Sequence, residues 1–215
     1  MGHRRNDRPD VPAGRGVRAR PLMDALLLRP APSISSPYFP VHKERMDISA
    51  FIRHVPDYPH PGILFYDITP LLASPEAFGS VTDQMADAAR PLRPTVIVAP
   101  EARGFLLAAP LAQRLGIGLV PIRKPGKLPC AVFSASYDLE YGSNTLCMHK
   151  DALHAGDRAL IVDDVLATGG TAEAMLHLIR QSGADVAGCC MLMELDALKG
   201  RRLLEGIPLS VLLHV

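Results

Sequence analysis

Asp163 and Asp164 stand just ahead of five small residues, Ala167-Thr168-Gly169-Gly170-Thr171, a spacing suited to holding a sugar phosphate. The apolar run Leu160 to Val162 leads in, as a strand buried on both faces would. Ala172 to Ile179 follows, with Met175, Leu176, Leu178 and Ile179 at helical spacing. The first N–H groups of a helix are unpaired and lie at the positive end of its dipole, so they attract an anion. Glycines let the backbone close on a phosphate. Thr168 and Thr171 add hydroxyl donors. The two acids repel phosphate and need another partner. An ionised carboxylate only accepts hydrogen bonds, which suits the vicinal hydroxyls of a ribose. The string therefore suggests a ribose 5-phosphate cradle. An ordinary turn with exposed acids is the plainer alternative; it fits a lone Gly-Gly better than the whole string.

Two further polar turns follow apolar runs. Thr95 to Ala99 leads into Pro100-Glu101-Ala102-Arg103-Gly104, then a helical stretch Phe105 to Leu115. Gly118 to Ile122 leads into the basic segment Arg123-Lys124-Pro125-Gly126-Lys127. Together these supply cations on turns that follow strand-like runs.

Strands must place those turns. Strand-like runs alternate with helical ones, so the fold class is α/β, a mostly parallel twisted sheet flanked by helices. Sites in such sheets lie beyond the strand C-termini, at the point where strand order reverses. Before the sheet, Ile48, Phe51, Ile52 and Val55 recur at helical spacing with Asp47 as N-cap. Ile63 to Tyr66 reads as a short extended run. Ser74-Pro75 starts a helix through Phe78, Val81 and Met85. Leu128 to Ser136 reads as loop, Tyr137 to Met148 as a hairpin turning at 142–144. Val186 to Leu195 and Leu209 to Val215 read as strands around a short helix, Leu198 to Leu204. Residues 46–215 form the folded domain. Residues 1–45 are rich in Arg and Pro with little periodicity and read as a disordered or loosely packed extension.

The chain has 215 residues, enough for one domain with a full core. Its net charge of +1 points to neither nucleic acid nor membrane, and no apolar run approaches the ~20 residues of a span. Cys130, Cys147, Cys189 and Cys190 show no metal spacing and read as reduced cytoplasmic thiols. The eight histidines show no metal spacing either.

The acid pair and Ala167-Thr-Gly-Gly-Thr171 resemble the 5-phosphoribosyl 1-pyrophosphate (PRPP) motif of the type I phosphoribosyltransferases. Within that family the string is most similar to the adenine-specific branch. Matching segments continue in order: Pro56 to Pro70, Glu101-Ala-Arg-Gly-Phe105, Arg123 to Pro129 and Ser136 to Gly142. The resemblance implies the family's fold, with a small hood and a flexible lid loop. It implies adenine and PRPP as substrates, AMP and pyrophosphate as products, Mg2+ carried by the diphosphate and not by a protein site, and a homodimer. Leu64, Phe65 and Tyr66 would form the hood, an aromatic ring stacking on the base and backbone groups reading its edge. Asp163, Asp164, Ala167, Thr168, Gly169, Gly170 and Thr171 would hold PRPP. Arg103, Arg123 and Lys127 would hold its pyrophosphate, and the Glu101–Ala102 peptide would be cis. The 6-oxopurine enzymes carry an Asp where Ala167 stands, so Glu140 on the lid is the group implied for the purine proton. Tyr66 stands where many members carry Arg.

By residue type alone, Glu140 reads as a solvated acid, Phe65 as core, and Arg123–Lys127 as a solvated loop. Three functions stay open at this point: the adenine enzyme, an enzyme for another purine base, and a PRPP-sensing regulator without catalysis. The retained Arg103, Glu140 and lid favour an enzyme.

Overall fold

A computed structural model describes residues 46–138 and 143–215. Its centre is a five-stranded sheet of β3 (Val96–Pro100), β4 (Gly118–Ile122), β7 (Arg158–Leu166), β8 (Asp185–Glu194) and β9 (Leu209–His214). The spatial order is β4-β3-β7-β8-β9, and every pairing is parallel. Strand order runs outward in both directions from β3 and β7, so the switch point lies between those two strands.

Both sheet faces are covered, which is why the strands read as unbroken apolar runs. Successive side chains point to opposite faces. Val96, Val98 and Ile161 pack with Met175, Leu178 and Ile179 of α4 (Gly170–Ser182). Ile97, Leu160 and Val162 pack on the other face. There they meet Met85 of α2 (Pro75–Ala89) and Leu107 and Leu111 of α3 (Arg103–Leu115). Each such side chain, once buried, contributes about 1.5–3 kcal/mol. The start of α2 follows its sequence signals: Pro75 sits in the first turn and Ser74 Oγ accepts from Ala77 N–H at 3.2 Å.

Two small antiparallel pairs stand outside the sheet. β1 (Arg53–Pro56) pairs with β2 (Leu64–Asp67), and β5 (Val132–Asp138) pairs with β6 (Ser143–His149). A short helix, α1 (Thr69–Ala73), follows β2.

Several local expectations are corrected. The helix expected after Asp47 is only a 3-10 turn, Ser49–Phe51, and the chain then extends into β1. Asp47 Oδ1 does accept from Ser49 N–H at 3.0 Å, but His54 and Val55 gain ladder partners in Tyr66 and Phe65. The loop assigned to 128–136 is half strand: the hairpin begins at Val132, because Ala135 and Leu146 bury themselves in the core beside α4. β7 does not stop before the acids but runs on through Asp163 and Asp164 to Leu166. The short helix after β8 is two 3-10 turns, Asp196–Leu198 and Gly200–Leu204. Glu140 lies outside the described residues, and so does the 1–45 segment.

Candidate active site

The C-terminal ends of β3 and β7 carry the polar turns to one place. A cleft of about 290 Å3 opens there, lined among others by Glu101, Arg103, Lys124, Tyr137, Asp164 and Thr171. Beside it, the turn from Ala167 to Thr171 encloses a smaller hollow of about 50 Å3. Asp163, Ala167 and Thr171 line both.

The small hollow is shaped by backbone. α4 begins at Gly170, so the N–H groups of its first turn are free for an anion. Gly169 has a φ of +92°, and a Cβ there would lie 2.5 Å from the Gly200 carbonyl oxygen. The loop can take this path only because both residues are glycine. Gly200 lies outside the motif, and its part in the loop was not visible in the local sequence pattern.

The two acids differ. Asp163 is buried, and its Oδ1 accepts the Asp164 backbone N–H at 2.9 Å. Burial, reinforced by the charge of Asp164, pushes the Asp163 carboxyl well above the usual carboxylate range. The Asp164 side chain is 5% exposed, and Arg103 Nε lies 2.7 Å from its Oδ2. That Oδ2 nevertheless receives no directed hydrogen bond. The pair is a charge contact that leaves Asp164 Oδ2 with accepting capacity to spare.

Arg103 also reaches the hood. Its guanidinium carbon stands 5.3 Å from the centre of the Phe65 ring, over its face. Phe65 is steadied edge-on by Tyr58 at 5.2 Å. Tyr66 turns the other way on β2 and meets His54 edge-on at 5.1 Å. Its side chain packs against the core. Leu64 is exposed at the hood edge.

The remaining cations divide. Arg123 Nε donates to Glu101 Oε2 at 2.6 Å, and Lys124 N–H donates to Glu101 Oε1 at 3.2 Å. The Arg123 guanidinium holds the Glu101 carboxyl below its usual range. Glu101 thus ties the β3 turn to the end of β4. Lys124 lines the cleft, whereas Lys127 is exposed and does not. Sequence reasoning gave Glu101 and Lys124 no separate role. The Glu101–Ala102 peptide is cis.

Away from the cleft, donor atoms of Glu194, Asp196 and His214 lie within 4.8 Å of one another. The Glu194 carboxylate is already taken by both Nε and Nη2 of Arg201. The set is better matched to an ion pair than to a cation.

An open helix start, buried acids beside it and a cationic turn facing both lie together at the switch point. Residues 70–212 match the family described as "Phosphoribosyl transferase domain", and the chain belongs to that family. It is similar to the adenine phosphoribosyltransferase of Streptomyces coelicolor, 58% identical over 168 residues that span 76% of this chain and 92% of that protein. Among solved structures, the adenine phosphoribosyltransferase of Thermoanaerobacter pseudethanolicus is 48% identical, with a TM-score of 0.77 over 78% of this chain and 98% of that one. The Saccharomyces cerevisiae enzyme, solved with an imino-altritol bisphosphate and adenine, is 39% identical with a TM-score of 0.73 over 77% and 96% of the two chains. Among the described residues, no helix is long and apolar enough to cross a membrane.

Proposed function

We propose that the chain is an adenine phosphoribosyltransferase, joining adenine to the ribose of PRPP to form AMP and pyrophosphate in purine salvage. One observation carries the reading: the Gly169–Thr171 helix start, the Asp163–Asp164 pair and Arg103 converge at one switch point. The similar proteins named above carry this activity, and their lengths are matched nearly whole.

The residues divide the work. N–H groups and hydroxyls of Thr168, Gly169, Gly170 and Thr171 bind the 5-phosphate. Asp163 and Asp164 accept from the ribose hydroxyls. As the bond from C1′ to the diphosphate breaks, positive charge grows on the sugar and negative charge on the leaving group. Arg103 and Lys124 face that leaving group, and Arg123, held by Glu101, positions the turn. Mg2+ would come with the diphosphate as part of the substrate and would supply charge neutralisation to the leaving group. The base stacks on Phe65, with Leu64 and Tyr66 presenting backbone groups to its edge. Glu140 handles the purine proton as the lid closes and excludes water. We further assign the protein to the cytoplasm as a homodimer, with catalysis confined to residues 46–215.

The test is direct. Purified chain mixed with adenine, PRPP and Mg2+ should release AMP and pyrophosphate in equal amounts. Binding of PRPP without turnover would instead make it a sensor.

A further inference from the structure

We propose that Tyr137 is a positioning residue for the phosphate-binding hydroxyl of Thr171, acting from the β5–β6 hairpin; this rests on the phosphate reading above. The Tyr137 hydroxyl lies 3.0 Å from Thr171 Oγ1, 34 residues further along the chain. The ring seats on the phosphate loop itself: a Cβ at Gly170 would fall 2.7 Å from Tyr137 Cδ2. So the glycine at the start of α4 has a second task. It leaves the N–H groups open on one side and makes room for an aromatic ring on the other.

The hairpin is fixed well enough to aim that ring. Ala135 and Leu146 are buried, and Tyr137 itself packs against the core on the α4 face. Gln181 Nε2, near the far end of α4, reaches the Ser134 carbonyl at 3.4 Å. Ser136 and Thr145 join their hydroxyls across the two strands at 2.9 Å.

The direction of the Tyr137–Thr171 bond follows from the ligand. Phosphate oxygens accept hydrogen bonds, and a threonine hydroxyl has one proton to give. When Thr171 donates that proton to a phosphate, its oxygen can only accept from the tyrosine. Tyr137 O–H then donates to Thr171 Oγ1, and Thr171 O–H donates to the phosphate. The tyrosine holds the threonine rotamer and aligns its proton toward the hollow, and such chained bonds strengthen one another.

A 5-phosphate contact is present equally before and during reaction, so losing it weakens binding and leaves turnover alone. Tyr137→Phe keeps the ring on Gly170 and removes only the donor. In calorimetric titration of the full chain, its dissociation constant for ribose 5-phosphate should rise roughly 3- to 10-fold. The KM for PRPP should rise in step, with kcat at saturation and the thermal midpoint unchanged. Adding Tyr137→Phe to Thr171→Val should cost nothing more, because the hydroxyl it serves is gone. Wild-type affinity in Tyr137→Phe, or an equal loss on the Thr171→Val background, would overturn the proposal. Wild-type protein that fails to bind ribose 5-phosphate would overturn the phosphate reading itself, and this inference with it.

Discussion

Arg103 and Asp164 meet across the switch point, Nε to Oδ2 at 2.7 Å, joining the turn after β3 to the end of β7. The same guanidinium lies over Phe65. One cation therefore stands on both the acid assigned to ribose and the ring assigned to the base.

The proposed function sets Arg103 against the leaving group. Arg103→Ala should lower kcat/KM for PRPP by about 10²- to 10³-fold, the usual cost of one preorganised donor at developing charge. Arg103→Lys should recover only part, because an ammonium lacks the planar fork. Steady-state rates at varied PRPP test this; a loss below about threefold in Arg103→Ala would remove Arg103 from the chemistry.

Gly200 backs the Ala167–Thr171 loop. A Cβ on Gly200 would lie 2.2 Å from the Ala167 carbonyl oxygen and 2.8 Å from Gly169 N. Both neighbours are backbone, so the loop itself must move. Gly200→Ala should cost ~1–3 kcal/mol, as overpacking does. Thermal melts should show a midpoint several degrees lower, and kinetics a raised KM for PRPP. An unchanged midpoint and KM would show that the loop yields freely.

Asp163 carries a stability penalty with a definite sign. Its folded carboxyl titrates well above its ordinary value of 3.8 because it is buried, so the native state holds a proton that the unfolded chain releases. Below 3.8 both states are protonated and there is no penalty. As pH rises from there through the folded value, stability is lost, and above it the penalty levels off. Asp163→Asn should therefore melt higher than wild type, by a margin that widens with pH over that window, while binding PRPP more weakly. A margin that shrinks with rising pH would contradict the assignment.

The parts of the fold legible in sequence were those with a local period. Unbroken apolar runs marked β3, β7 and β8, since both faces of each are buried, and Ser74-Pro75 marked α2. The hood strand β1 was not legible, because four residues bounded by Pro56 gain their strand character only from pairing with β2. The start of the hairpin was hidden for a similar reason: Val132 to Ser136 is ordered by α4, far away in sequence. In the candidate site, the small-residue turn and the acid pair at the end of β7 could be read from residue type. The Glu101–Arg123 tie, the Tyr137–Thr171 bond and the Gly169–Gly200 contact could not. Each joins residues 22 or more apart, and no spacing rule links such partners.

We propose that this site transfers phosphoribose to adenine, with base edge and proton read by the hood and Glu140. The most direct measurement is the initial rate with PRPP and Mg2+ across labelled adenine, hypoxanthine, guanine and xanthine, in wild type and in Glu140→Gln. A site that hydrogen-bonds one base edge rejects a mismatched edge by about 10⁴-fold, and general acid–base help is worth ~10²–10⁴-fold. The expected result is AMP from adenine, negligible product from the three oxopurines, and a kcat lowered by about that second factor in Glu140→Gln. Equal rates with hypoxanthine, or no AMP from adenine at all, would contradict the account.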